Sequence, residues 1–334
     1  MTFTRRNFFK AAVGSCAAVA TAGGGAEEAE ARGNLPLPPG ALGLLFDSTL
    51  CTGCKACVTA CKIANDKPLD TPADQPYLDE TEHLSPDALN VIKMYSEGAG
   101  QAKDEEVDGF AFIKHSCMHC VDPVCVSVCP VTALEKDEIT GIVSYDKDRC
   151  IGCRYCVVTC PYRIPRFNYD DPFPEIHKCE LCRHLLPEGK FSACADACPT
   201  GATLFGPVVE LHAEIARRKT LKPGEITDFP RRSTETGDRS RKQPAGDYIE
   251  HVYGEKEGGG TQMLMMSGVP FEKLGLPTLP ERSYAAISET IQHFLYQGLI
   301  APIAVLGGLL FVTHRNAHHE DQDNEDRDSA EGGA

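Results

Sequence analysis

The chain has 334 residues, 17 cysteines, no tryptophan and a formal net charge of -15. With 42% hydrophobic and 24% charged residues it has a globular composition, which excludes a disordered chain and one lying mostly within a membrane. Acids outnumber bases 48 to 33, which speaks against nucleic acid as a partner, because phosphate binding needs clustered Lys and Arg.

At the N-terminus, Thr4 to Lys10 read T-R-R-N-F-F-K, followed by an apolar stretch from Ala11 to Ala22 and small-residue cleavage options near Ala22 or Ala31. This layout predicts a twin-arginine export signal over residues 1–31. Cys16 lies inside the apolar stretch, where too short a run precedes it for a good lipoprotein site. The twin-arginine route moves folded proteins. That suits a chain whose cofactors are inserted where thiols are kept reduced.

After a Pro-rich lead, Leu35 to Gly40, the cysteine region spans residues 42–206 and holds 16 of the 17 cysteines. Ordinary core thiols are never so dense. Four motifs of four are legible. The first is Cys51-x2-Cys54-x2-Cys57-x3-Cys61, and the third, Cys150-x2-Cys153-x2-Cys156-x3-Cys160-Pro161, has the same spacing. The second, Cys117-x2-Cys120-x4-Cys125-x3-Cys129-Pro130, and the fourth, Cys179-x2-Cys182-x11-Cys194-x3-Cys198-Pro199, stretch the second gap. This is the bacterial ferredoxin spacing. Three cysteines on a tight loop direct three thiolates at one 4Fe-4S cube, and the fourth, beyond its reach, ligates the neighbouring cluster.

Internal repetition argues for duplication. Phe46-Asp47 leads into Cys51 and Tyr145-Asp146 into Cys150, both as aromatic-Asp-x-x-x-Cys, while Cys125 to Ala133 parallels Cys194 to Ala202. Short strand-like stretches such as Gly141 to Tyr145 precede a motif. The expected fold is therefore α+β, with two bacterial-ferredoxin-like modules and four 4Fe-4S clusters. Structural zinc does not use the x2-x3 continuation with trailing Pro, and C-x2-C neighbours on one turn make poor disulfide staples. No motif has a replaced ligand, so four complete clusters are expected and no three-iron centre. Spacing alone leaves open which motif pairs with which. Lys55, Arg154 and Arg183 each follow a motif's second cysteine and are read as solvated loop positions, with His115, His119, His177 and His184 as flanking groups rather than ligands. The polar insertion between Cys61 and Cys117 is read most simply as a surface loop.

Residues 207–290 form a C-terminal extension and linker whose composition yields no chemistry. Their Gly-rich run Tyr253 to Gln262 lacks a following Gly-Lys-Ser/Thr, so a structural turn is expected rather than a phosphate cradle. Phe294 to Thr313 then carries no charge, and residues 291–314 are predicted to form a transmembrane helix. Ala304 and Gly308 add a small-xxx-small pair for packing against another membrane helix. Residues 315–334 form a polar tail, and from His314 onward seven acids face two bases. With an exported body, this tail is expected on the cytoplasmic side.

The segments T-R-R-N-F-F-K, Cys117 to Pro130, Asp146 to Cys156 and Tyr253 to Gln262 together closely resemble the iron-sulfur subunits of membrane-bound hydrogenase-2 complexes. More distantly the chain resembles the four-cluster beta subunits of formate dehydrogenase and dimethyl sulfoxide reductase. That wider resemblance implies nested modules. Cys51, Cys54, Cys57 and Cys198 would hold one cluster, and Cys61, Cys179, Cys182 and Cys194 its partner. Cys117, Cys120, Cys125 and Cys160 would hold a third, and Cys129, Cys150, Cys153 and Cys156 a fourth. The implied role is a non-catalytic electron-transfer subunit between the small and large subunits of a nickel-iron uptake hydrogenase and an integral membrane quinone-reactive subunit. It would sit on the periplasmic face of the bacterial inner membrane. The competing implication is the beta subunit of a molybdenum formate dehydrogenase. A catalytic cluster would need an open iron, which a full set of cysteines does not leave.

Overall fold

A computed structural model describes residues 32–70, 81–234 and 239–331. The export-signal expectation for residues 1–31 lies outside the described residues. The chain divides into two compact units, one of residues 33–286 and one whose described part is Arg32 and the chain from Ile287.

The first strand, β1 (Leu42–Asp47), is buried along nearly all its length because both its faces are covered. Helix α1 (Ala56–Ala64) carries the end of the first cysteine motif. Next come β2 (Asn90–Ser96), β3 (Ala102–Lys103) and β4 (Gly109–Ser116), joined in the order β2-β4-β3. The insertion expected as a surface loop thus folds partly into a sheet. Its strands carry the alternating apolar residues Val91, Ala111 and Ile113, all buried.

Short elements frame the middle motifs: α2 (Val124–Ser127), the hairpin of β5 (Leu134–Lys136) and β6 (Val143–Tyr145), α3 (Tyr155–Thr159), the hairpin of β7 (Arg166–Phe167) and β8 (Ile176–His177), and α4 (Ala193–Asp196). Strand β9 (Thr203–Pro207) runs antiparallel to β1 and leads into α5 (Val208–Lys219). Helix α5 buries Val208, Leu211 and Ile215 against Leu45, Leu204 and Leu264, which covers one face of the sheet. The opposite face, with Leu44 and Phe46, packs on the cysteine motifs.

The stretch after 207 is no loose appendage. Strands β10 (Ile226–Pro230) and β12 (Ser240–Pro244) pair with each other, β11 (Arg232–Ser233) joins β9, and β13 (Met263–Met266) lies parallel to β1. The central sheet therefore has the order β11-β9-β1-β13. Its residues are wholly buried at Met263 to Met266, so the body closes only when this late segment docks beside the first strand.

The last element, α6, runs Tyr284–Glu331, starting before the expected 291 and continuing as helix through the acidic tail. Its Tyr284–Arg315 portion has a mean hydropathy of 2.0 in its most apolar window, is long and apolar enough to cross a membrane, and is not buried in protein. Leu295, Ile300, Ile303, Leu306, Leu310 and Phe311 are all exposed along it, and Pro302 lies inside the helix.

Candidate metal centres

The loops that begin the first and third motifs are conformational copies. Gly53 and Gly152 both sit at φ 70°, and the next non-cysteine residues, Lys55 and Arg154, both take left-handed backbone at 53° and 63°. A side chain at Gly53 would also collide with Phe112 of β4, since a Cβ there would lie 2.4 Å from its ring. Lys55 and Arg154 thus occupy strained corner positions that turn each chain into its helix. Arg154 stacks over Phe167 and Tyr169, 5.6 and 5.7 Å from the ring centroids.

The repeated aspartates position the loops. Asp47 Oδ1 accepts from the Thr49 backbone N–H at 3.0 Å and its hydroxyl at 2.6 Å, fixing the turn into Cys51. Asp146 accepts from the Asp148 N–H at 3.0 Å ahead of Cys150. Asp47 goes further, because its other oxygen pairs with the fully buried Arg218 guanidinium at 2.7 Å and accepts from the Tyr248 hydroxyl at 2.8 Å. Arg218 in turn reaches Glu214 at 2.8 Å. Helix α5 is thereby tied to the entry of the first motif.

All sixteen motif cysteines are free thiols. Cys51, Cys54, Cys57 and Cys198 line one cavity, and Cys61, Cys179, Cys182 and Cys194 line a second. A third is lined by Cys129, Cys150, Cys153 and Cys156. Cys117, Cys125 and Cys160 are close enough to Cys120 that each disfavours its ionisation. Every set therefore joins three cysteines of one motif to the last cysteine of another. Within the described residues no three His, Cys, Asp or Glu side chains converge closely enough to hold a single ion. The thiols surround volumes rather than points, the geometry a polynuclear centre asks for and a zinc site does not.

Electrostatics describe the same donors. Burial pushes the Cys51, Cys61 and Cys125 thiols up to about 12, and neighbouring thiols add to the rise. Four thiolates crowded together in a dry site need a compensating cation, and the donor set is soft, as iron-sulfur binding requires. The residues present therefore fit 4Fe-4S clusters.

Lysines also approach these sites, and sequence reasoning missed them. Lys103 donates to the Ser48 and Thr49 carbonyls at 3.0 and 2.7 Å beside Cys51. Lys136 donates to the carbonyls of Cys120 and Gly141 and to Gln262 Oε1, at 3.0, 2.7 and 2.7 Å. The buried Lys178 donates to the carbonyls of Val143 and Cys179. Lys114 of β4 is wholly buried and lines the cavity of Cys61, Cys179, Cys182 and Cys194. Burial works against its charge, but Cys194, Cys57, Cys61 and Cys179 outweigh that and hold it protonated. By contrast Arg183, expected as a solvated loop position, is half-exposed on Glu180.

Three of the flanking histidines have other partners. His119 Nδ1 accepts from the Val143 N–H at 3.0 Å, His177 meets Lys67 at 3.2 Å, and His184 meets the Ala64 carbonyl at 2.8 Å. The Gly-rich run is a structural turn. Gly258, Gly259 and Gly260 all have positive φ, Glu257 accepts from the Gly254 N–H at 2.6 Å, and Thr261 bridges to Cys120. Gln262 then donates to the Leu42 and Thr140 carbonyls at 2.6 and 2.8 Å, bracing β1 against the turn between β5 and β6.

Comparison with known proteins agrees with this chemistry. Residues 109–208 match the model of a 4Fe-4S dicluster domain. The chain is 48% identical to the hydrogenase-2 operon protein HybA of Escherichia coli O157:H7 over 96% of its own length and 98% of the relative's. It is 36% identical to the protein NrfC of Escherichia coli K12, over 67% of this chain and 88% of that one. It is also 32% identical to the formate dehydrogenase-O iron-sulfur subunit of the same strain, over 79% and 77% of the two chains.

Proposed function

From the premise that this chain belongs to the family of the hydrogenase-2 operon protein HybA, we propose that it is a non-catalytic electron-transfer subunit carrying four 4Fe-4S clusters. The observation that carries this reading is the gathering of sixteen free thiols into four sets of four. The proposed ligands are Cys51, Cys54, Cys57 and Cys198; Cys61, Cys179, Cys182 and Cys194; Cys117, Cys120, Cys125 and Cys160; and Cys129, Cys150, Cys153 and Cys156. When bound, the clusters supply one-electron redox steps. The protein's own residues keep the thiols fixed, exclude water and set the local charge. Residues 42–206 carry two nested ferredoxin-like modules in this reading, braced by the strands that follow them.

The electrons come from the small and large subunits of a nickel-iron uptake hydrogenase and pass to an integral membrane subunit that reduces quinone. Three features support the location: a T-R-R-N-F-F-K signal, the apolar portion of α6, and the acidic tail beyond it. They fit an exported body held at the periplasmic face of the inner membrane by one transmembrane helix, with the tail on the cytoplasmic side. Proteolysis of right-side-out spheroplasts should leave that tail intact, and cleavage within it would reverse the topology.

A second reading, the beta subunit of a molybdenum formate dehydrogenase, is favoured by the similarity to the formate dehydrogenase-O subunit. Gentle solubilisation, capture of the complex on this chain and metal analysis separate the two. Nickel in the co-purified complex supports the hydrogenase, and molybdenum without nickel rejects it.

A further inference from the structure

The four lysines near the cysteine cavities are not alike. A lysine ammonium has three N–H donors, and a buried one needs acceptors for them or its desolvation goes uncompensated. Lys136 has three oxygen acceptors, and Lys103 also has three, the Ser48 and Thr49 carbonyls and the Asp104 carboxylate. These lysines are saturated by oxygen and act as struts. Lys114 is 0% exposed, yet Asn90 Oδ1, at 2.9 Å, is its one hydrogen-bond acceptor among the described residues. Asn90 is itself anchored, donating to the Cys57 carbonyl at 2.9 Å, so the position of the ammonium is fixed from the first turn of α1 in the first motif. The cavity that Lys114 lines holds Cys61, Cys179, Cys182 and Cys194.

We propose that the Lys114 ammonium is an N–H···S donor and a fixed positive charge for the cluster held by Cys61, Cys179, Cys182 and Cys194, and that it makes this cluster the more readily reduced of its pair. Reduction adds an electron to an already anionic centre. A cation held in a low-dielectric site stabilises the reduced state more than the oxidised one, and hydrogen bonds to cluster sulfur act in the same direction. The sulfur of the bound cluster would supply the acceptors that the chain itself does not. Lys114 also borders a cavity lined by Tyr162, Ile164 and Pro277, and donation to water there would leave the cluster unaffected.

This inference rests on the four-cluster reading, and the test separates the two. The full-length chain is purified and loaded anaerobically, its iron is counted, and its clusters are titrated potentiometrically with EPR detection. The probe variants are Lys114→Met, Lys114→Gln and Lys114→Arg, with Cys182→Ser marking which spectral component belongs to this cavity. In Lys114→Met that component should become at least tenfold harder to reduce, about 59 mV for a one-electron couple, with the component of Cys51, Cys54, Cys57 and Cys198 shifted less and the remaining two unmoved. Lys114→Gln should shift by less, and Lys114→Arg should stay near the wild type. Full iron with every midpoint unchanged in the Met and Gln variants overturns the role of Lys114. Where the Met variant loads less iron, the Gln variant decides. A wild-type protein without four clusters' iron, or a Cys182→Ser chain with all components intact, would sink the cluster reading instead.

Discussion

The cavity of Cys61, Cys179, Cys182 and Cys194 and that of Cys129, Cys150, Cys153 and Cys156 present the same donors in opposite envelopes. In the first, all four cysteines are buried, the strands β2 and β4 lie against it, and a buried lysine faces it. In the second, only Cys156 is buried, and the surrounding chain exposes Ile151, Tyr155 and Val158, the last at 82%. Gly53, in the adjoining loop of the first module, is pressed by Phe112, while the equivalent Gly152 has nothing closer than Phe167 at 3.6 Å. The two loops thus share one conformation, and the chain packed on them decides their surroundings. Potential is set by burial, charge and hydrogen bonding around the sulfurs, so on the proposed four-cluster reading identical ligand sets would become different redox centres.

The contrast can be broken most severely from inside the sealed cavity. Cys182→Ser should remove or deeply alter one cluster, read as a loss of up to about four irons per chain and one EPR component. Next in size is the support beneath the first motif. Asp47→Asn leaves Arg218 without its full partner in a wholly buried pair, so we expect a loss of about 3–5 kcal/mol, seen as a lowered denaturant midpoint of the anaerobic protein.

Kinetics sharpen the comparison further. Ferricyanide should bleach the component of Cys129, Cys150, Cys153 and Cys156 before that of the sealed cavity, and simultaneous loss would show that the two envelopes admit oxidant equally. A smaller effect concerns Glu214. Burial opposes its ionisation, but hydrogen bonding from Arg217 and the charge and hydrogen bond of Arg218 win and hold its carboxyl below the usual 4.5. A depressed carboxylate stabilises the fold above its unfolded pKa and loses that contribution as pH falls through the folded one. Glu214→Gln should therefore narrow the gap in stability between neutral pH and pH 4, measured against wild type at matched iron content. Smallest of all, Val158→Lys on the open side should change stability by less than about 0.5 kcal/mol, since the side chain is already exposed.

The cysteine pattern, the repeated aromatic-Asp entry and the apolar C-terminal stretch were legible because each is encoded locally, in spacing or in a run of one character. The lysines were not. In G-F-A-F-I-K-H-S, alternation places Lys114 on the face opposite Ile113, the position of a solvated residue on a one-sided sheet. It is buried because that face packs on the first motif, a long-range fact with no local signature. Residues 207–286 hid their role for the same reason, since the partners of β11 and β13 are β9 and β1 rather than their sequence neighbours. The early helix start at Tyr284 follows from Ser283, whose hydroxyl accepts from the Ala286 N–H at 3.0 Å and caps the first turn.

The pairing of β1 with β13 also sets a timetable. Leu44 to Asp47 meet Met263 to Met266, so a ribosome must release more than two hundred residues beyond the first strand before its open edge is filled. All sixteen motif thiols have emerged by Cys198, well ahead of that closing strand. The nascent chain therefore passes through a stage in which its metal-loading loops are complete and one edge of its central sheet is still unpaired. An arrested chain ending before Met263 should leave that edge of β1 open, read as faster proteolysis than that of the full-length chain.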